Sequence, residues 1–191
     1  MPYIKKVLFL VAAAIVMAAV VACDGGQPLV INTEPVGFHS GDECHVCGML
    51  IAEWPGPKGE SINTRNGSTH KFCSTADMFS WLLQPENSKA SLKIYVHDMA
   101  KAHWRSPEDE YLIDATQAWY VLSSDLAGAM GPALVSYGDQ ATAQAVAEKF
   151  DGQVLRFEDI TLETLREISR LEYEQALKRN EDIQQLHHGS R

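Results

Sequence analysis

One order of local patterns occurs twice between residues 60 and 157, and it limits the architectures open to this chain. In the first pass, Glu60-Ser61-Ile62-Asn63-Thr64-Arg65 alternates like an edge strand. Asn66-Gly67 is a hairpin turn signal, and Thr69 to Cys73 reads as the returning strand. Ser74-Thr75-Ala76-Asp77 has the form of a helix capping box, with aspartate in place of glutamate. The helix then carries Met78, Phe79, Trp81, Leu82 and Leu83 until Pro85 stops it. Leu92 to His97 alternates as a further strand. In the second pass, Ala118 to Leu122 reads as a strand, Gly128-Ala129-Met130-Gly131-Pro132 as a Gly-rich loop, and Ala133 to Tyr137 as a strand. Asp139 caps a helix over Gln140 to Phe150, Gly152 lies just past its end, and Gln153 to Phe157 is a strand. Two ββαβ units of this kind predict an α+β fold, with helices on sheet faces, rather than a doubly wound parallel sheet. Leu162, Leu165, Ile168 and Leu171 then form one apolar stripe, which predicts a C-terminal helix to about Lys178 followed by a mobile polar tail.

The N-terminus sets the compartment. Lys5 and Lys6 precede an uncharged apolar run from Val7 to Ala22, the form of a secretory signal and too short for a comfortable membrane span. The run ends Val20-Val21-Ala22-Cys23, which resembles a bacterial lipobox. That resemblance implies cleavage before Cys23 and a lipid anchor on it, with several acyl chains holding where one would not. Asp24 implies retention at the inner membrane, with the outer membrane as the alternative. The expected organisation is therefore a signal peptide (1–22), a lipidated N-terminus and tether (23–38), a first unit (39–110), a second unit (111–160) and the helix with its tail (161–191).

Loss of residues 1–22 removes two lysines and no acids, taking the formal net charge from −9 to −11. So acidic a chain argues against nucleic acid as a partner. Of four cysteines, Cys44, Cys47 and Cys73 remain beside the lipidated Cys23. An odd number does not close a disulfide framework in an oxidising compartment.

The chemistry gathers in Cys44-His45-Val46-Cys47-Gly48-Met49. Three readings compete for it. A redox dithiol needs a stabilised thiolate, and the preceding Asp42-Glu43 pair is expected to raise the thiol pKa instead. A structural zinc site would take Cys44, Cys47, His70 and Cys73, a common ligand set. Against it, a spacer of two on an extended strand turns His70 and Cys73 to opposite faces. Capture of Cu(I) uses thiolates with the thioether of Met49, since soft ligands suit that ion. Other candidates carry less context. His45 sits inside the loop, His97 and Met99 share a strand spacing, and His187-His188 lies in the tail.

Asp42 to Met49 resembles the signature of the NosL family, lipoprotein accessory factors for nitrous oxide reductase. Tyr95-Val96-His97-Asp98, Trp119-Tyr120-Val121, Gly128-Ala129-Met130-Gly131 and Leu155-Arg156-Phe157 are similar to that family as well. The resemblance covers roughly residues 35–160 and the lipobox. It implies a pair of related ββαβ units and a Cu(I) metallochaperone, a binding role rather than an enzymatic one. The implied partners are the nitrous oxide reductase apoprotein and an ABC-type assembly complex in the inner membrane. The implied ligands are Cys44, Cys47, Met49 and Met130, with His45, Cys73, His97 and Met99 as accessory candidates.

Overall fold

The strand pattern resolves into two antiparallel sheets in the computed structural model, which describes Tyr3, residues 30–129 and residues 131–188. The first sheet is built from β1 (Gly59–Asn63), β2 (Thr69–Phe72), β3 (Leu92–His97) and β4 (Leu112–Asp114), in the order β2-β1-β3-β4. The second contains β5 (Trp119–Gly128), β6 (Gly131–Tyr137) and β7 (Gln153–Arg156), in the order β6-β5-β7. Helix α1 (Thr75–Leu82) falls between β2 and β3, and α2 (Gln140–Lys149) between β6 and β7. The expected strand–strand–helix–strand order is thus present twice. Residues 32–188 lie in one compact unit.

Helix α1 packs over the first sheet at close range. A Cβ on Gly59 would come within 2.5 Å of the Met78 sulfur, so β1 needs glycine at that point. Beneath it, Phe72, Met78, Phe79 and Val96 join Tyr120, Leu134, Leu155 and Ile168 in a core shared by both units. The second sheet is covered on both faces. Its other face packs Val121, Val135 and Tyr137 against Ala143 and Ala147 of α2. Met99, Ser136 and Asp98 tie the sheets together: the Met99 N–H donates to Ser136 O, and Gly138 N–H to Asp98 Oδ1.

Four features depart from the sequence expectations. Strand β4 has only three residues, and it pairs with β3 although it lies past the expected boundary at 110/111. Strand β5 runs on to Gly128, which pairs with Gly131, so the ladder extends into the expected Gly-rich loop. A bulge between Ser123 and Ala127, where Ser123 Oγ accepts from Asp125 N–H, lets the ladder continue. Residues 33–38, expected to be free tether, dock on the first sheet. Tyr95 donates to Thr33 O, Val36 N–H to Glu60 Oε1 at 2.7 Å, and Phe38 N–H to Asp109 Oδ2 at 3.0 Å.

Helix α3 (Leu162–His188) does not end near Lys178 in a mobile tail; it continues to His188. Its sequence is rich in strong helix formers, and ion pairs such as Arg166–Glu163 and Arg170–Glu167 lace its exposed face. Leu165 and Ile168 pack on the shared core, and Gln175 donates to Ser124 O. No helix among the described residues is long and apolar enough to cross a membrane. The expected lipidation site Cys23 and the expected ligand Met130 both lie outside the described residues.

Candidate metal centre

The loop 42–51 is held as a closed hairpin. Gly48 N–H donates to Cys44 O, Cys44 N–H to Met49 O, and Ile51 N–H to Asp42 O, all within 2.9 Å. Gly48 takes φ 73°, which an L side chain rarely adopts. His45 N–H donates to Lys71 O, which fastens the loop beside the end of β2. Cys44 is thereby turned inward and Cys47 outward.

Cys73 follows the last residue of β2, and Ser74 then caps α1 by accepting from Asp77 N–H at 3.0 Å. The capping is one-sided. The Asp77 carboxylate does not return to Ser74 but faces the thiols, 3.2 Å from the Cys73 sulfur and 3.4 Å from that of Cys44. The Cys47 and Cys73 sulfurs lie 3.5 Å apart. All four ligand atoms of Cys44, Cys47, Cys73 and Asp77 fall within 4.8 Å of one another.

The electrostatics of this cluster are uneven. The pKa of Cys44 falls to about 4, chiefly because the Cys73 thiol bonds to its sulfur. The backbone N–H groups of Cys73, Cys47 and Val46 add to the effect, against the burial that opposes it. The same Cys44 contact, burial and Asp77 push the Cys73 thiol well above the ordinary range. Burial raises Cys47 and Asp77. Cys44 is thus the thiol of the cluster that ionises first, and the protons belong to the group as a whole. The raised thiol pKa expected from Asp42-Glu43 is not found at Cys44. Asp42 is engaged by Lys71 at 2.5 Å, and Glu43 is exposed.

A buried cation stands behind the thiols. Lys58 is 3% exposed, and its ammonium donates to Trp54 O, Pro55 O and Cys73 O. Burial lowers its pKa to about 8, and the charge on Cys73 and Cys44 works the other way. Nothing in the sequence around Pro57-Lys58-Gly59 announced this role.

The other candidates separate from the cluster. His70 stands outside it, and Asp77 takes the fourth place that the zinc set had given to that histidine. The His70 ring stacks instead on His45, at 4.0 Å between centroids, and on Trp81 at 4.9 Å. Met49 is half-buried against the shared core. His97 is fully buried under the Phe38 ring, with Nδ1 accepting from Lys58 N–H. Met99 packs on the second core instead. Gly128 and Ala129, at the end of the β5–β6 hairpin, face Ser74, Thr75 and Ala76 at the start of α1.

A family model named NosL matches residues 35–165, a stretch that contains both sheets and all four clustered ligands. The chain belongs to the NosL family. It is similar to the copper-binding lipoprotein NosL of Stutzerimonas stutzeri, with 44% identity over 161 residues and 84% of each chain covered. The copper-binding lipoprotein NosL of Achromobacter cycloclastes is 35% identical over 160 residues, with 80% of this chain and 78% of the relative covered. The crystal structure of the copper chaperone NosL from Shewanella denitrificans matches at a TM-score of 0.65 and 41% identity. That match covers 68% of this chain and 97% of the solved one. The NosL match ends at residue 165, so most of α3 lies beyond it.

Proposed function

We propose that this chain is a lipid-anchored periplasmic metallochaperone that binds Cu(I) and delivers it for the maturation of nitrous oxide reductase. The observation that carries the reading is the convergence of three cysteine sulfurs from two separate segments, one of them exposed. Sulfur ligands favour Cu(I) over harder ions. The thiolate at Cys44 provides an anchor that needs no deprotonation at neutral pH, and Cys47 at the surface is where an incoming ligand enters. Transfer is then a ligand exchange, with the acceptor's sulfur or imidazole bound before Cys47 leaves. Met49 and Met130 would supply thioethers to the same ion. The relatives named as copper-binding lipoproteins support the metal and an anchor at Cys23. The proposed partners are the reductase apoprotein and an ABC-type assembly complex in the inner membrane.

Anaerobic reconstitution of the reduced chain with Cu(I) and Zn(II), each against a competing chelator, tests this function. One tightly held Cu(I), weakened in Cys47→Ala and in Met130→Ala, is the expected result. Asp77 gives a second reading some weight. Its hard carboxylate completes a four-ligand set of the kind that closes structural zinc sites. Tight Zn(II) that depends on Asp77 while both methionine variants are silent would establish that reading instead.

A further inference from the structure

We infer that the metal-free chain carries a reversible Cys47–Cys73 disulfide switch, with external disulfides as its oxidant. The two sulfurs are 3.5 Å apart across a sequence separation of 26 residues. The sequence would pair Cys44 with Cys47, the adjacent thiols of one loop. The structure divides these three thiols differently. Cys47 is exposed, whereas Cys44 and Cys73 are 3% and 0% exposed, so an external disulfide meets Cys47 alone. Both buried thiols stand by Asp77, at 3.4 Å for Cys44 and 3.2 Å for Cys73, but the Cys73 sulfur is the one that also lies against Cys47. In the chain-entropy account, a cross-link over the longer segment also constrains the unfolded chain more than one within four residues.

The steps balance as thiol–disulfide exchange. Cys47 sulfur attacks one sulfur of RS–SR. A Cys47 S–SR bond forms, the RS–SR bond breaks, and RSH leaves with the proton that Cys47 gives up. Cys73 then attacks the Cys47 sulfur as a thiolate, its proton taken by the Cys44 sulfur to which it bonds and passed on to the departing RS−, so that a second RSH leaves. Two protein thiols are oxidised and one external disulfide is reduced to two thiols. The product consumes two of the three sulfurs of the metal centre, so oxidation and metal occupancy exclude each other. A dithiol reductant reverses both steps.

The test treats the full chain, stripped of metal, with oxidised glutathione, then alkylates free thiols and maps peptides by mass spectrometry. The expected product has lost two hydrogens, with the Cys47 peptide joined to the Cys73 peptide. The link persists in Cys44→Ala and is lost in Cys47→Ala. In Cys73→Ser, glutathione stays bound at Cys47. Dithiothreitol returns the wild-type chain to three alkylatable thiols at these positions. Any other pairing, a Cys44–Cys47 bond above all, overturns the inference. So does a wild-type chain that stays reduced or stops at the glutathione adduct. These outcomes are read without metal, so they stand apart from success or failure of the copper reading.

Discussion

The two ββαβ units share an order of elements but divide the chemistry between them. In the first, the ionisable Lys58, Glu60, His97 and Asp98 are buried, as are Cys44 and Cys73, and the Lys58 ammonium donates to Cys73 O. In the second, the buried polar side chains among the described residues are the hydroxyls of Ser123, Ser136, Tyr120 and Tyr137. Three of these are satisfied: Ser123 donates to Phe150 O, Ser136 to His97 O, and Tyr120 to Ala115 O. In the first unit, by contrast, Glu60 Oε2, Ser61 Oγ and His97 Nε2 have no hydrogen-bond partner among the described residues, with Asp109 Oδ1 3.9 Å from the last. Buried ionisable groups cost far more than buried hydroxyls unless something compensates them. One copy of the pattern has kept the cheap, neutral form and serves as a platform, while the other carries the cost of a binding site.

The largest effect separating the units is expected at Cys73. Cys73→Ala removes a sulfur ligand and a hydrogen-bond partner of both Cys44 and Asp77. Affinity for Cu(I) should fall by more than the roughly 10–100-fold that losing a mere supporting partner costs. Chelator competition measures it. A residual affinity equal to wild type would return the site to the Cys44–Met49 loop alone.

The next effect is a stability change with pH, confined to the first unit. Burial holds His97 at about 4, below its ordinary 6.5, with the charge on Asp109 opposing this and the charge on Lys58 adding to it. The unfolded chain takes up a proton on this residue as pH falls below 6.5, and the folded chain does so only near 4. Stability is therefore complete above 6.5 and declines as pH falls toward 4. At about 1.4 kcal/mol per pH unit, the loss is at most roughly 3.5 kcal/mol. Denaturant titrations at pH 7 and pH 5 should show the loss in wild type, and His97→Gln should flatten it. An equal slope in both proteins would place the pH dependence elsewhere.

Much of this division was legible in residues, and the gaps have physical causes. Alternation and turn chemistry marked six of the seven strands, because a half-buried strand must alternate; β4, with three residues, is too short to show a period. The expected opposition of His70 and Cys73 assumed a pleat running through both. The ladder stops at Phe72, so Cys73 belongs to the turn into α1 and escapes that rule. Asp77 was hidden for a different reason. Its place in a capping pattern already accounted for it, and only the fold shows that its carboxylate faces the thiols. Lys58 left no trace, since a lysine's burial depends on carbonyls assembled from Trp54, Pro55 and Cys73.

Asp77 sharpens the comparison at smaller scale. Asp77→Asn keeps the α1 cap, which uses the Ser74 side chain and the backbone of residue 77. Metal affinity is expected to fall about 10–100-fold while helical circular dichroism is unchanged. An unchanged affinity would reduce Asp77 to a bystander that accepts hydrogen bonds in the metal-free state.

The smallest effect is the matched control in the second unit. Asp139 caps α2 by accepting from Thr142 N–H at 2.8 Å, as Ser74 caps α1. Among the described residues no clustered ligand lies there; the residue after the same interval is Thr142, not a carboxylate. Asp139→Ala should lower stability through the lost cap. It should leave Cu(I) affinity at the wild-type value. Ser74→Ala removes the equivalent cap beside the site, and its cost in stability should be similar. It should also weaken metal binding, because the first turn of α1 positions Asp77. If both variants lowered affinity alike, the second unit would be coupled to the metal centre through the shared core. If neither did, the first turn of α1 would be held by packing at Met78 and Phe79 rather than by its cap.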